Sequence, residues 1–194
     1  MQDRATAAGP ARLTASSLAL FRGERLLFRD IAIDLSAGGG LRLTGANGTG
    51  KSSLLRILAG LLRPSMGTVV ERGGISFLGH ASGLDPARTL RSELQSWGLD
   101  PTKAAWFETG PLLDLPIGRL SQGQQRRAAL TRVTAAPGKI WLLDEPAAGL
   151  DAKSRGALGD ALSAHFQEDG IAVVATHGES ELPSMAELSL GAPA

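Results

Sequence analysis

Gly45-Ala46-Asn47-Gly48-Thr49-Gly50-Lys51-Ser52 decides how this chain is read. The octet fits G-x-x-x-x-G-K-[ST] at each fixed position. Its glycines let successive backbone N–H groups converge on phosphate oxygens, and the positive end of a following helix dipole reinforces them. Lys51 is placed to reach the β- and γ-phosphates, and the Ser52 hydroxyl to ligate Mg²⁺. A plain glycine turn ahead of a helix is the competing reading, and the flanks decide against it. Leu41-Arg42-Leu43-Thr44, after Gly38-Gly39-Gly40, is strand-like. Ser52 to Leu62 carries Leu54, Leu55, Ile57, Leu58, Leu61 and Leu62 on one face at helical spacing. Arg63-Pro64 is expected to stop that helix, because proline disfavours helix at the residue before it.

Outward from the octet, Leu13 to Leu35 reads as two strands about the turn Arg22-Gly23-Glu24-Arg25. Residues 68–78 offer two more short strands. Residues 84–118 hold Pro86, Pro101, Pro111 and Pro116 with Trp97, Trp106 and Phe107, and read as a small, mostly helical insertion. Gln122–Ala135 is helical text. Ile140-Trp141-Leu142-Leu143 is an apolar run ending at Asp144, as a buried parallel strand requires, and 171–175 is another. Ala152–Glu168 is an amphipathic helix with Leu158, Leu162 and Phe166 four apart; His165 on it is expected to be solvated. The expected fold class is α/β: a P-loop NTPase core, residues 12–190, with an N-terminal antiparallel β subdomain and the short helical insertion at 84–118. Residues 1–11 and 191–194 read as tails.

Composition excludes several functions. Among 194 residues there is no Cys, which removes disulfides, Cys-ligated metals and thiol chemistry. Twenty Lys and Arg against 19 Asp and Glu give a net charge of +1, with no footprint for non-specific nucleic-acid binding. The longest stretch without a charged residue, Gly73 to Leu84, falls short of the roughly 18 residues that span a bilayer. Met1 to Arg12 lacks an apolar segment and does not read as a secretory signal. Any membrane work is expected to go through partner chains.

Asp144-Glu145, ending a buried strand and followed by Pro146, reads as a second nucleotide element. One carboxylate can hold Mg²⁺ through water, and its neighbour can orient and deprotonate an attacking water. Ser121 is a good N-cap, and Gly123 leaves backbone N–H groups approachable. Gln124-Gln125-Arg126-Arg127 makes that helix start basic, usable on phosphate or simply solvated. His177 follows the strand 171–175, whose end lies on the edge where ligands of parallel sheets bind.

Together these motifs resemble the ATP-binding-cassette ATPases. Gly45–Ser52 is similar to their phosphate loop, with Ser53 beside it, and Leu120-Ser121-Gln122-Gly123-Gln124 to their signature sequence. Ile140–Glu145 is similar to their second nucleotide motif, Ala148-Gly149-Leu150-Asp151 to the D-loop, and His177 to the switch histidine. The resemblance implies ATP and Mg²⁺ as ligands, and a second copy in a head-to-tail sandwich. Ser121, Gly123 and Gln124 would then serve the nucleotide of the partner chain. His80 stands where the family usually has a glutamine reaching towards Mg²⁺ or the attacking water, so it joins Ser52 and Asp144 as a metal-side candidate. With no Tyr in the chain, Phe21 is the candidate to stack on adenine, and Arg22 could do so instead.

Leu78-Gly79-His80, Arg22 to Phe28, and Gly123-Gln124-Gln125-Arg126-Arg127 with Ala128-Ala129-Leu130 resemble in particular the ATP-binding subunits of the bacterial cytochrome c maturation, or haem-export, complex. That implies integral membrane partners, no nucleic acid, and a peripheral place on the cytoplasmic face of the inner membrane. The alternatives are a small transport ATPase with other cargo, a soluble cassette of DNA repair or translation, and a degenerate cassette. Lys51, Asp144, Glu145 and His177 argue against the last. A repair member is expected to carry a long coiled coil and a translation member a second cassette, and these residues read as neither.

Overall fold

The computed structural model describes residues 9–101, 106–177 and 182–191. In chain order its elements are β1 (Arg12–Arg22), β2 (Arg25–Ser36), β3 (Gly40–Thr44), α1 (Lys51–Leu58), β4 (Met66–Arg72), β5 (Ile75–Leu78), α2 (Leu90–Ser96), α3 (Gln122–Ala135), β6 (Ile140–Asp144), α4 (Ala152–Gln167), β7 (Ile171–Ala175) and β8 (Ala186–Ser189). Most of both proposed tails, and 102–105 of the 84–118 segment, lie outside the described residues. Ala11, within the segment read as a tail, is buried.

Two sheets carry the fold. β2, β1 and β4 form an antiparallel sheet, and β5-β6-β7-β3-β8, in that order, a parallel one. Alternation along the central strands divides the core in two. Ile140 and Leu142 of β6, with Ile171, Val173 and Ala175 of β7, face α1 and the β1–β2 hairpin. Trp141 and Leu143, with Ala172 and Val174, face α3, α4 and the 84–118 segment. Both strands are buried throughout, which is why they read as unbroken apolar runs.

Several local readings change. α1 ends at Leu58, not Leu62. Gly60 takes φ +71, its N–H bonds to Ile57 O, and Leu61 N–H reaches Arg56 O. This left-handed cap closes the helix before Arg63-Pro64 can act, and Leu61 is left exposed. Among its described residues the 84–118 segment holds one short α-helix, α2, capped by the Thr89 hydroxyl, and 3₁₀ turns at Gly110–Leu112 and Ile117–Arg119. Apart from Pro101, which is also 3₁₀, its other described residues are turns, bends and irregular chain, in keeping with four prolines. β8 adds an edge strand beside β3.

His165 is not solvated. It lies seven residues after Leu158 and three after Leu162, in the apolar phase of α4, and is buried. Its ring stacks on Trp141, centroids 3.7 Å apart and planes at 11°, and Nε2 lies 3.2 Å from Ile171 O. Burial pushes its pKa below the ordinary histidine value.

Candidate functional site

The parallel register sets the site. Leu43 pairs with Ala175, and Asp144 pairs with the same Ala175. The chain leaves β3, β6 and β7 at one level, delivering the 45–52 loop, Asp144-Glu145 and Thr176-His177 to a common edge.

The loop's shape depends on its glycines. A Cβ on Gly45, at φ +130, would lie 2.3 Å from Leu190 O; one on Gly50, at φ +104, would meet the Phe28 ring at 2.9 Å. Only glycine lets the loop run this close to β8's exit and to the hairpin. Thr49 is buried, its hydroxyl donating to Ala46 O at 2.9 Å, while Ala46, Asn47 and Gly48 are exposed. Gly50 caps α1 with no side-chain acceptor, and the first turn carries no acid. Its leading N–H groups, on Lys51, Ser52 and Ser53, have no partner within the helix and suit an anion.

Lys51 is buried and folds back over the loop, donating to Gly45 O at 2.7 Å and Ala46 O at 3.1 Å. Its Nζ also lies 3.2 Å from His177 Nδ1. Burial lowers its pKa from the ordinary lysine value, while the charges of Glu145 and Asp144 pull it back up. His177 Nε2 comes within 3.1 Å of Glu145 Oε1, without hydrogen-bond alignment, so Oε1 remains unpartnered. Lys51, His177 and Glu145 are therefore in contact, and Asp144 is next to Glu145 at the end of β6.

Asp144 is buried and its Oδ2 has no hydrogen-bond partner. Two orphaned carboxylate oxygens beside a hydroxyl-bearing helix start fit a divalent cation and its water. Among the described residues no group of three or more His, Cys, Asp or Glu could hold a metal by itself. Mg²⁺ here would have to complete its shell with phosphate oxygens and water, as that ion commonly does.

The remaining candidates are dispersed. Ser121 caps α3 in a full capping box: its hydroxyl accepts from Gln124 N–H at 3.2 Å, and Gln124 Oε1 accepts from Ser121 N–H at 2.8 Å. A Cβ on Gly123 would stand 3.0 Å from Gly149 O, so the signature turn packs on the 148–151 loop. Asp151 caps α4 through Ser154 N–H at 2.7 Å. Among the described residues, no hydrogen bond or ion pair joins Ser121–Gln124 to the 45–53 loop. Phe21 is 48% exposed near the end of β1, next to Leu20, which pairs with Phe28. His80 is exposed and lines a groove of about 750 Å³ with Arg56, Leu61, Phe77, Trp97 and Arg132.

Arg126, read as a cation for phosphate or solvent, is buried and spends its donors on backbone carbonyls. It precedes Leu130 by four and Val133 by seven, on the buried face of α3. A charge in the apolar phase of a helix was the available signal.

The chain belongs to the ABC transporter family, whose pattern matches residues 28–148. It is 41% identical over 202 residues to the Maricaulis maris cytochrome c biogenesis ATP-binding export protein CcmA, covering 94% of each chain. The protein of that name from Novosphingobium aromaticivorans is 43% identical over 181 residues, covering 92% of this chain and 95% of the relative. A solved ATP-binding cassette, dimeric in a post-hydrolysis state with ADP and Pi, superposes with a TM-score of 0.76 at 20% identity, covering 86% of this chain and 88% of that one. That likeness supports the shared fold.

Proposed function

We propose that this chain is the ATP-hydrolysing subunit of a bacterial export complex for cytochrome c maturation, with haem as the group handled. The observation that carries the ATPase reading is the meeting of Lys51, His177 and Glu145 at the edge where α1 presents uncapped N–H groups. In this reading the 45–53 loop wraps the phosphates, and Lys51 neutralises the β/γ charge. The Glu145 carboxylate takes a proton from the attacking water, giving ADP and phosphate. His177 donates to the γ-phosphate, and Phe21 or Arg22 stacks on adenine. Ser52 and Asp144 would hold Mg²⁺, with His80 facing it through water, and the ion would add charge neutralisation when bound.

A second copy is part of the proposal. Ser121 is exposed and Gly123 half-buried at the α3 start, and neither is bonded to the 45–53 loop of its own chain, as suits residues serving a partner's nucleotide. No helix among the described residues is long and apolar enough to cross a membrane, so the membrane steps belong to partner subunits. The groove at His80 and Trp97, on the 84–118 side, is the surface proposed for them, at the cytoplasmic face of the inner membrane. The cytochrome c role rests on the relatives' names. It is tested by complementation of a strain lacking the corresponding gene: wild type should restore c-type cytochromes, and Lys51→Ala should not. Restoration by both would remove ATP turnover from the function.

A further inference from the structure

Arg126 lies in the first turns of α3, immediately past the Ser121–Gln124 capping box, and is 8% exposed. A guanidinium withdrawn from water needs acceptors for its five N–H groups. It finds four, all backbone carbonyls. Nε donates to Pro146 O at 3.3 Å, Nη1 to Gly79 O at 3.0 Å, and Nη2 to Glu145 O at 2.6 Å and to Asp144 O. Burial lowers its pKa from the ordinary arginine value, the Asp144 and Glu145 charges raise it, and the group stays protonated.

Three of these carbonyls are consecutive, and the middle one belongs to a strained residue. Glu145 has φ +50, a region that a long L side chain rarely occupies. Its N–H is tied to Ala175 O at 2.9 Å, and its carbonyl also receives Ala148 N–H at 3.1 Å. Arg126 grips the same turn from the α3 side. The fourth carbonyl, on Gly79, directly precedes His80 beyond the end of β5. A single planar cation thus joins the signature helix, the carboxylate turn and the β5 corner. Lysine could not do the same, since the three donors of an ammonium radiate from one nitrogen and cannot replace four bonds spread over the three nitrogens of a planar guanidinium.

We infer that Arg126 is a positioning residue for ATP hydrolysis: by holding the Asp144–Pro146 backbone against α3 and Gly79, it aims the Glu145 carboxylate. The inference rests on reading Glu145 as the proton acceptor. Its test compares full-length wild type, Arg126→Lys, Arg126→Ala and Glu145→Gln for MgATP turnover and for binding of a non-hydrolysable ATP analogue.

Both Arg126 variants should lose kcat by about 10²-fold, the scale of loss that follows a displacement of roughly 1 Å at a reacting group. Analogue affinity should stay within about twofold, because the 45–53 loop is untouched. Millimolar guanidinium ion should restore part of the turnover of Arg126→Ala and none of that of Glu145→Gln. Arg126→Lys retains a buried cation and carries the test if Arg126→Ala does not fold. Turnover near wild type in the Arg126 variants, with Glu145→Gln inactive, overturns the inference. So does a parallel loss of turnover and nucleotide affinity, which a purely structural residue would give. Retained turnover in Glu145→Gln instead sinks the reading on which the inference rests.

Discussion

Lys51 Nζ stands 3.2 Å from His177 Nδ1, joining the loop after β3 to the segment after β7 across 126 positions of chain. An ammonium only donates, so Nδ1 accepts and the ring proton sits on Nε2, on the side of Glu145 Oε1. The lysine thereby sets the histidine tautomer as well as the local charge. Lys51→Ala is expected to abolish ATP turnover, because a buried phosphate loses its main cation. Phosphate release under saturating MgATP is the measurement, and near-normal release would dismiss the site.

Glu145→Gln should bind ATP and hydrolyse it poorly. The amide keeps the side chain's size but cannot accept a proton, and loss of a general base costs roughly 10²–10⁴ in rate. Retention of ATP on the protein, measured beside turnover, separates binding from chemistry. Turnover within about twofold of wild type would make Glu145 a bystander.

Much of this site was legible because its chemistry is written in contiguous residues. The 45–52 loop, the strand into Asp144, the Ser121 cap and the strand before His177 all stand where local pattern put them. What escaped depended on contacts distant in sequence. β8 is a short, mostly exposed edge strand with no buried run to announce it. Gly60 closed α1 through a left-handed cap that two following leucines masked. His165 and Arg126 looked like surface residues by type. Only the helical phase, and the indole and carbonyls waiting across the interface, make them interior.

His80 lies on the groove rather than in the contact set of Lys51, His177 and Glu145, and this divides its two variants. His80→Gln keeps a group that both donates and accepts, and should preserve hydrolysis and cytochrome c maturation. His80→Ala should leave nucleotide binding nearly intact and uncouple hydrolysis from the membrane partners. ATPase activity of the natively purified complex, beside a maturation assay, decides it. Normal values of both in His80→Ala would leave His80 no part in coupling.

The isolated chain should be a weak ATPase whose specific activity rises with its own concentration. Ser121 and Gly123 are proposed to complete the nucleotide site of a second copy, so a lone chain holds half of each site. The measurement is initial rate against protein concentration, paired with the oligomeric state over the same range. A strictly linear dependence from a chain shown to stay monomeric would contradict shared sites.

Stability should fall on the acid side, and His165 should be responsible for part of that fall. Burial lowers its folded pKa from 6.5; the carbonyl bonding at Ile171 and Lys139 and the charge of Glu168 oppose this, and the charge of Lys139 adds to it. Between the lowered value and 6.5 the unfolded chain binds a proton that the folded chain excludes. Stability therefore rises with pH through that window and is independent of this group above it. Within the window the cost of acidification is at most about 1.4 kcal/mol per pH unit. His165→Phe can still stack on Trp141 and carries no titrating group, at the loss of the contact to Ile171 O. Urea midpoints measured from about pH 5 to 8 should fall less steeply on acidification in the variant than in wild type. Identical slopes would mean that the stacked ring never has to exclude its proton.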